Sequence, residues 1–262
     1  MMKLGVCGWP DASVFEIAAK KGLSFLEFMV DVGSDPEAFF GKVKDAKRWS
    51  GETGVAVGSV GRWGTERILP DGKISEKELD LSYRLIDAAA ELGCGNFVCG
   101  CNRVDSISYY QNVTAAIEYF SKLIERAKGK NVSIAVYNCS WNNFVVDSNA
   151  WELIHGHVKE LGIKFDPSHS IGAGRDYLKE TRDWGDRFYH VHIKGSVVVD
   201  GEYYDSPPAG MDQTEWGSFL GILYAKGYDR GLSIEPHSKV WSGELGDKGL
   251  DFTIRTIKQM LF

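Results

Sequence analysis

The chain has 262 residues, 44% of them hydrophobic, enough to bury one full-sized core. A formal net charge of −6 and the lack of long basic runs argue against a protein that tracks nucleic-acid phosphates or anionic membranes. No segment reaches the roughly eighteen apolar residues of a membrane span, Met1-Met2-Lys3 opens no apolar leader, and five cysteines form no short-spaced disulfide framework, so a reduced, cytoplasmic protein with a small-molecule partner is expected.

Eight short apolar runs read as buried strands: residues 4–9, 24–30, 54–60, 96–101, 132–138, 163–169, 188–195 and 230–237. Helical patterns separate them. The stretch 12–22 stops at Gly22, 35–49 opens on Asp35-Pro36, and 75–93 offers Ser75 as N-cap, Glu78 at the capping-box position and Gly93 as a stop. Further helices fit 106–129, 147–160, 175–184, 213–227 and 247–261. Strict strand-helix alternation in a chain of this length predicts an α/β fold, a closed (β/α)8 TIM barrel forming a single domain over 1–262. The competing doubly wound sheet would carry a glycine-rich phosphate turn after the first strand. Gly5-Val6-Cys7-Gly8-Trp9-Pro10 has none.

Barrel chemistry sits at the C-terminal ends of the strands. Glu27, Asp166, His169, His190, His192, Lys194, Glu235 and His237 all fall there. Alternation puts His190, His192 and Lys194 on one strand face and Val191 and Ile193 on the other, and the apolar face belongs against the helices. Asp166, His192 and Glu235 therefore converge from three adjacent strands. Two carboxylates and an imidazole suit Mn²⁺, Mg²⁺, Co²⁺ or Zn²⁺, with positions left open for substrate oxygens. Taken singly, Asp166 before Pro167 also reads as a helix cap, and a strand-end histidine as a packing residue. Lys194 can hold a substrate oxygen or developing enolate charge. Trp9, Trp63, Trp141 and Trp241 follow strand ends and are candidate sugar-stacking walls, with Arg62, Arg103 and Arg175 the basic residues near the mouth. His155 and His157 read as helix-surface residues, and the cysteines match no zinc spacing.

The motifs FDPSH, VHIKG and SIEPH, with Glu27 in GLSFLEFMV, resemble those of the xylose isomerase-like TIM barrels, which include sugar and sugar phosphate isomerases and epimerases, apurinic-site endonucleases and inosose dehydratases. The resemblance spans the whole chain. It implies metal ligation by Asp166, His192 and Glu235, acid/base work by Glu235, and substrate contact by His169. The residues' own positions add His237, Lys194, Arg175 and the tryptophans to the expected binding surface. One departure stands out: where the family's fifth strand usually ends in a glutamate followed by asparagine, this chain has Tyr137-Asn138. That glutamate is both a metal ligand and one of two bases, so two-base epimerisation does not carry over directly. Tyr137 is left as a candidate proton donor.

The expected activity is that of a divalent-metal-dependent sugar isomerase or epimerase removing a proton next to a carbonyl. Alternatives are a keto-sugar or polyol lyase or dehydratase, and a non-catalytic carbohydrate-binding barrel. An endonuclease-like phosphodiesterase needs more metal ligands and a basic surface than this chain offers. The expected partner is a small carbohydrate, with no nucleic acid and no membrane. A homo-oligomer is compatible with the sequence.

Overall fold

The computed structural model describes all 262 residues. The elements in chain order are β1 (Lys3–Gly8), α1 (Ala12–Lys20), β2 (Phe25–Met29), α2 (Pro36–Thr53), β3 (Ala56–Arg62), α3 (Glu76–Glu91), β4 (Asn96–Cys99), α4 (Tyr109–Ala127) and β5 (Ser133–Tyr137). They continue with α5 (Ser148–His157), β6 (Gly162–Phe165), α6 (Pro167–Gly172), α7 (Tyr177–Trp184), β7 (Phe188–Ile193), β8 (Val197–Val199), β9 (Glu202–Asp205), α8 (Trp216–Ala225), β10 (Gly231–Ile234) and α9 (Gly243–Lys258). Eight parallel strands close in the order β1-β10-β7-β6-β5-β4-β3-β2, the (β/α)8 barrel expected from the alternation. No helix is long and apolar enough to cross a membrane.

Local signals explain the helix starts. Asp35 caps α2 with Pro36 in its first turn, Ser75 accepts a hydrogen bond from the Glu78 amide, and Ser108 and Gln111 form a reciprocal capping box. Gly93, at φ +70°, ends α3 in a conformation that a side chain would strain. The structure corrects the expected sixth strand in one respect. It stops at Phe165, because Asp166-Pro167 starts the short helix α6, and His169 lies on that helix. A second addition is the antiparallel β8–β9 hairpin, turned at Asp200 (φ 52°) and Gly201 (φ 83°).

The barrel interior is layered. At the N-terminal end the Phe25 ring fills the axis, and glycines on three strands make room for it. A Cβ on Gly5 or Gly58 would stand 2.5 or 2.4 Å from that ring, and one on Gly231 2.9 Å. Phe25 meets His190 edge-to-face at 6.0 Å. Above this plug the interior turns polar, and the apolar strand faces pack outward against the helices. Ser59 and Asn96, hydrogen-bonded to each other at 3.2 Å, belong to the polar interior, as do Glu27, Lys164, His192 and Ser233.

Candidate active site

Alternation along β7 sends His190 and His192 into the barrel, where the strand register supplies their partners. Cys7 pairs with Glu27 across β1 and β2, and Ser233 pairs with His192 across β10 and β7. A single buried oxygen, Glu27 Oε2, lies 2.7 Å from His190 Nε2 and 2.9 Å from His192 Nε2. Cys7 Sγ sits 3.6 Å from the same oxygen and 3.5 Å from Ser233 Oγ. Both imidazoles thus donate to one carboxylate through Nε2. Burial alone would raise the Glu27 pKa, but His192 and His190 outweigh it and hold the carboxylate well below its ordinary range. The two rings respond oppositely. Burial pushes His190 down, whereas His192, also penalised by burial, is carried well above its usual value by Glu27. Burial raises the Cys7 thiol to about 11, so it stays protonated.

The arrangement turns His192 Nδ1 toward the barrel mouth, 3.3 Å from Glu235 Oε2 and 4.0 Å from Asp166 Oδ2. Asp166 performs two tasks with its two oxygens. Oδ1 accepts the Ser168 amide at 2.9 Å and caps α6, while Oδ2 faces the mouth. Capping through one oxygen therefore leaves the other free to face the mouth, and the two readings of this residue are compatible. Asn138 fixes it further, accepting the Asp166 amide at 3.0 Å and donating to its carbonyl at 2.9 Å. Lys194 Nζ lies 3.0 Å from both Asp166 Oδ2 and Glu235 Oε2 and 3.3 Å from His169 Nε2. Burial opposes charge on each of these carboxyls, yet the Lys194 ammonium outweighs it and holds both well below the ordinary range. Burial, with a contribution from Lys194, pushes His169 down to about 3 against the pull of Asp166, so its imidazole is neutral.

Asp166, His192 and Glu235 bring three donor atoms within 4.8 Å of one another. Asp166 Oδ2 is buried and faced by the Lys194 ammonium at 3.0 Å, and His192 Nδ1 is the ring nitrogen that Glu27 leaves available. Such a donor set fits a divalent ion that accepts oxygen and imidazole ligands, which would displace the Lys194 ammonium and the proton on Nδ1.

The cluster opens on a cavity of about 360 Å³ at the C-terminal end of the barrel, within the usual size of a small-ligand site. Trp63, Trp141, His169, Lys194, Glu235 and His237 line it, as the sequence led us to expect. Lys164, Asp31, Cys139 and Met29 line it as well, and none of the four was expected as a binding residue. Lys164 Nζ reaches no closer than 3.9 Å to Asp166 Oδ2. Asp31 follows β2 in the sequence VDVGSD, and its position one residue past Val30 at a strand end was the available signal.

Five expectations are corrected. Tyr137 does not present its hydroxyl to the cavity: the phenol is fully buried, stacks on Trp63 at 5.9 Å, and donates to the Trp141 carbonyl at 3.0 Å. Trp9 packs edge-on against Phe39 at 6.1 Å and is not part of the cavity wall. Arg175 spends its guanidinium on Glu180 at 2.7 Å and the Val146 carbonyl at 3.1 Å, bracing α7. Arg62 is likewise engaged, in a bidentate pair with Glu78. His155, expected on the surface, is buried on α5, and only His157 is exposed.

Among known proteins, the chain is 25% identical over 173 residues to the uncharacterized protein YfiH of Bacillus subtilis (strain 168), a match that covers 58% of this chain. It spans only 54% of that relative's length. Among solved structures, the apo 3-keto-D-glucoside 4-epimerase YcjR of E. coli superposes with a TM-score of 0.76 at 17% identity, covering 99% of this chain and all of the other. A D-allulose 3-epimerase from Methylomonas sp. gives 0.79 at 17% identity, with 99% and 98% coverage. Residues 15–256 match the sequence profile of a single family, and the chain belongs to the xylose isomerase-like TIM barrels.

Proposed function

We propose that the protein is a divalent-metal-dependent isomerase or epimerase that removes a proton next to the carbonyl of a sugar or keto sugar. The observation that carries this reading is the Asp166–His192–Glu235 donor set opening on a cavity walled by Trp63 and Trp141. The names of the similar structures, two sugar epimerases, point the same way.

A divalent ion held by Asp166, His192 and Glu235 would polarise the substrate carbonyl and acidify the adjacent C–H. Glu235, ionised beside Lys194 and facing the cavity, takes that proton. Lys194 lies where negative charge develops on the substrate oxygen and stabilises it as the proton leaves. His169, neutral and 3.3 Å from Lys194, orients a substrate hydroxyl. Trp63 and Trp141 offer apolar faces to the C–H side of a sugar ring. Asp31, the other carboxylate lining the cavity, would be the group that returns a proton in an epimerisation.

A second reading, β-elimination from a keto sugar, is favoured by Tyr137, which leaves the end of β5 without a carboxylate base. Elimination can run on Glu235 alone, which takes the proton from carbon and passes it to the departing hydroxyl so that water leaves. Solvent-deuterium exchange on a panel of keto sugars, with the metal content of the protein measured in parallel, tests both. Glu235→Gln is expected to lower exchange about 10²–10⁴-fold. Undiminished exchange in that variant, or none in the metal-loaded wild type, would sink the proposal.

A further inference from the structure

A second concavity of about 350 Å³ abuts the first. The two share His169, Lys194 and His237 as lining residues but differ in chemistry. The first holds Glu235 and the indoles. The second is lined by hydroxyls from four separate segments: Ser140 after β5, Ser168 on α6, Ser196 after β7, and Tyr203 and Ser206 on and after β9. Ser168 Oγ is buried without a hydrogen-bond partner, in a residue that is 8% exposed where it lines the lobe. A buried hydroxyl of this kind costs free energy unless a ligand or water satisfies it. Tyr203 and Ser206 are joined at 3.1 Å, which fixes a donor–acceptor pair on the opposite wall. Gly172 and Ala173, both exposed, line it with almost no side chain, and a Cβ on Gly172 would meet nothing within 4 Å.

We infer that the substrate is a glycoside of disaccharide size, the reacting ring seated in the indole-lined lobe against Glu235 and the second ring held in the hydroxyl-lined lobe. The inference rests on the proposed sugar chemistry and extends it to the substrate class. The direction of binding follows from Glu235, which lines the first lobe and not the second. Size agrees too. Each lobe by itself is at the low end of ligand pockets, about 300–1,000 Å³, and the two together fall well inside that range. A ring bearing several hydroxyls can satisfy Ser168 and exchange bonds with Ser196 and Ser206. The β8–β9 hairpin, an addition to the eight βα units, supplies Tyr203 and thereby closes this lobe.

Isothermal titration of the full-length protein in the presence of Mn²⁺ tests this. The probes are sucrose, trehalose, maltose and lactose, each compared with the methyl glycoside of its component rings. At least one disaccharide is expected to bind about tenfold or more tightly than its methyl glycoside, a difference of about 1.4 kcal/mol. Gly172→Phe, which fills the lobe from an open position, brings that ratio to about one, and Ser168→Ala lowers disaccharide affinity several-fold. Equal affinities for disaccharides and methyl glycosides across the panel overturn the inference. So does an equal loss for both ligand types in Gly172→Phe. Deuterium exchange on free keto sugars without a disaccharide preference would remove the second ring and leave the proposed chemistry standing; a preference without exchange would do the reverse.

Discussion

Glu27 does not line the candidate cavity, yet the geometry of the mouth depends on it. By accepting from His192 Nε2 it sets the ring's rotation, so that Nδ1 is the nitrogen turned to Asp166 and Glu235. A carboxylate behind a ligating imidazole also makes it a better donor. Glu27→Gln, nearly isosteric, is expected to weaken Mn²⁺ binding about 10–100-fold, measured by competition with a chelating dye. Unchanged affinity in a variant with wild-type circular dichroism would show that the register of β7 alone aims the ring. Asp31 calls for a different readout. If it returns the proton, Asp31→Asn retains solvent exchange at the position deprotonated by Glu235 but loses about 10²-fold or more in the rate of epimer formation, followed by chromatography of the products. Equal loss of both rates would place Asp31 in substrate binding instead.

At the level of strands and helices, the barrel's polar mouth is tied to an apolar plug. Phe25 occupies space that glycines on β1, β3 and β10 vacate, and its ring supports His190 from below. Gly5→Ala would drive a methyl group to 2.5 Å from both the ring and the Phe25 carbonyl, so the backbone itself must give. A loss of about 1–3 kcal/mol in urea unfolding is expected, partly recovered by Phe25→Leu in the same chain. Additive, unrecovered losses would point away from the ring as the source of strain. The strand pattern and much of the helix pattern were legible in the sequence, because buried parallel strands are short apolar runs and the helices carry cap residues. Two elements escaped. Asp166-Pro167 is the same start signal that identifies α2, but six residues are too few for a helical period to emerge. The Asp200-Gly201 turn between Val197–Val199 and Glu202–Asp205 is a hairpin signal hidden within what reads as a loop. The convergence of Asp166, His192 and Glu235 was legible because alternation along a strand fixes direction. The fates of Tyr137, Trp9 and Arg175 were not, because a side chain's last hydrogen bond depends on loops that no periodicity describes.

Across the whole molecule, closure of the sheet makes stability a shared property, so a proton taken up far from the mouth is felt by the entire fold. His155 is the clearest case. It lies between α5 and the barrel, its ring edge-on to Trp184 at 6.0 Å, its Nε2 3.4 Å from the Gly162 carbonyl and its Nδ1 buried without a partner. Burial pushes its pKa down to about 4, from 6.5 for the free side chain. Above pH 6.5 the ring is neutral in both folded and unfolded chains and the linkage contributes nothing unfavourable. As pH falls from 6.5 toward 4 the unfolded chain binds a proton that the folded chain refuses, so stability is lost across that window. Between pH 7.5 and pH 4.5 the loss assigned to this residue is about 2 kcal/mol. The cluster at the mouth titrates too, so the absolute curve does not isolate His155; the difference between wild type and His155→Gln does. The glutamine variant is expected to be the less stable protein at pH 7.5 and to gain on the wild type by about 2 kcal/mol on acidification to pH 4.5, measured by urea unfolding at both values. A gap that stays constant with pH would mean that His155 finds room for its second proton in the folded barrel, through a shift of α5 against β6.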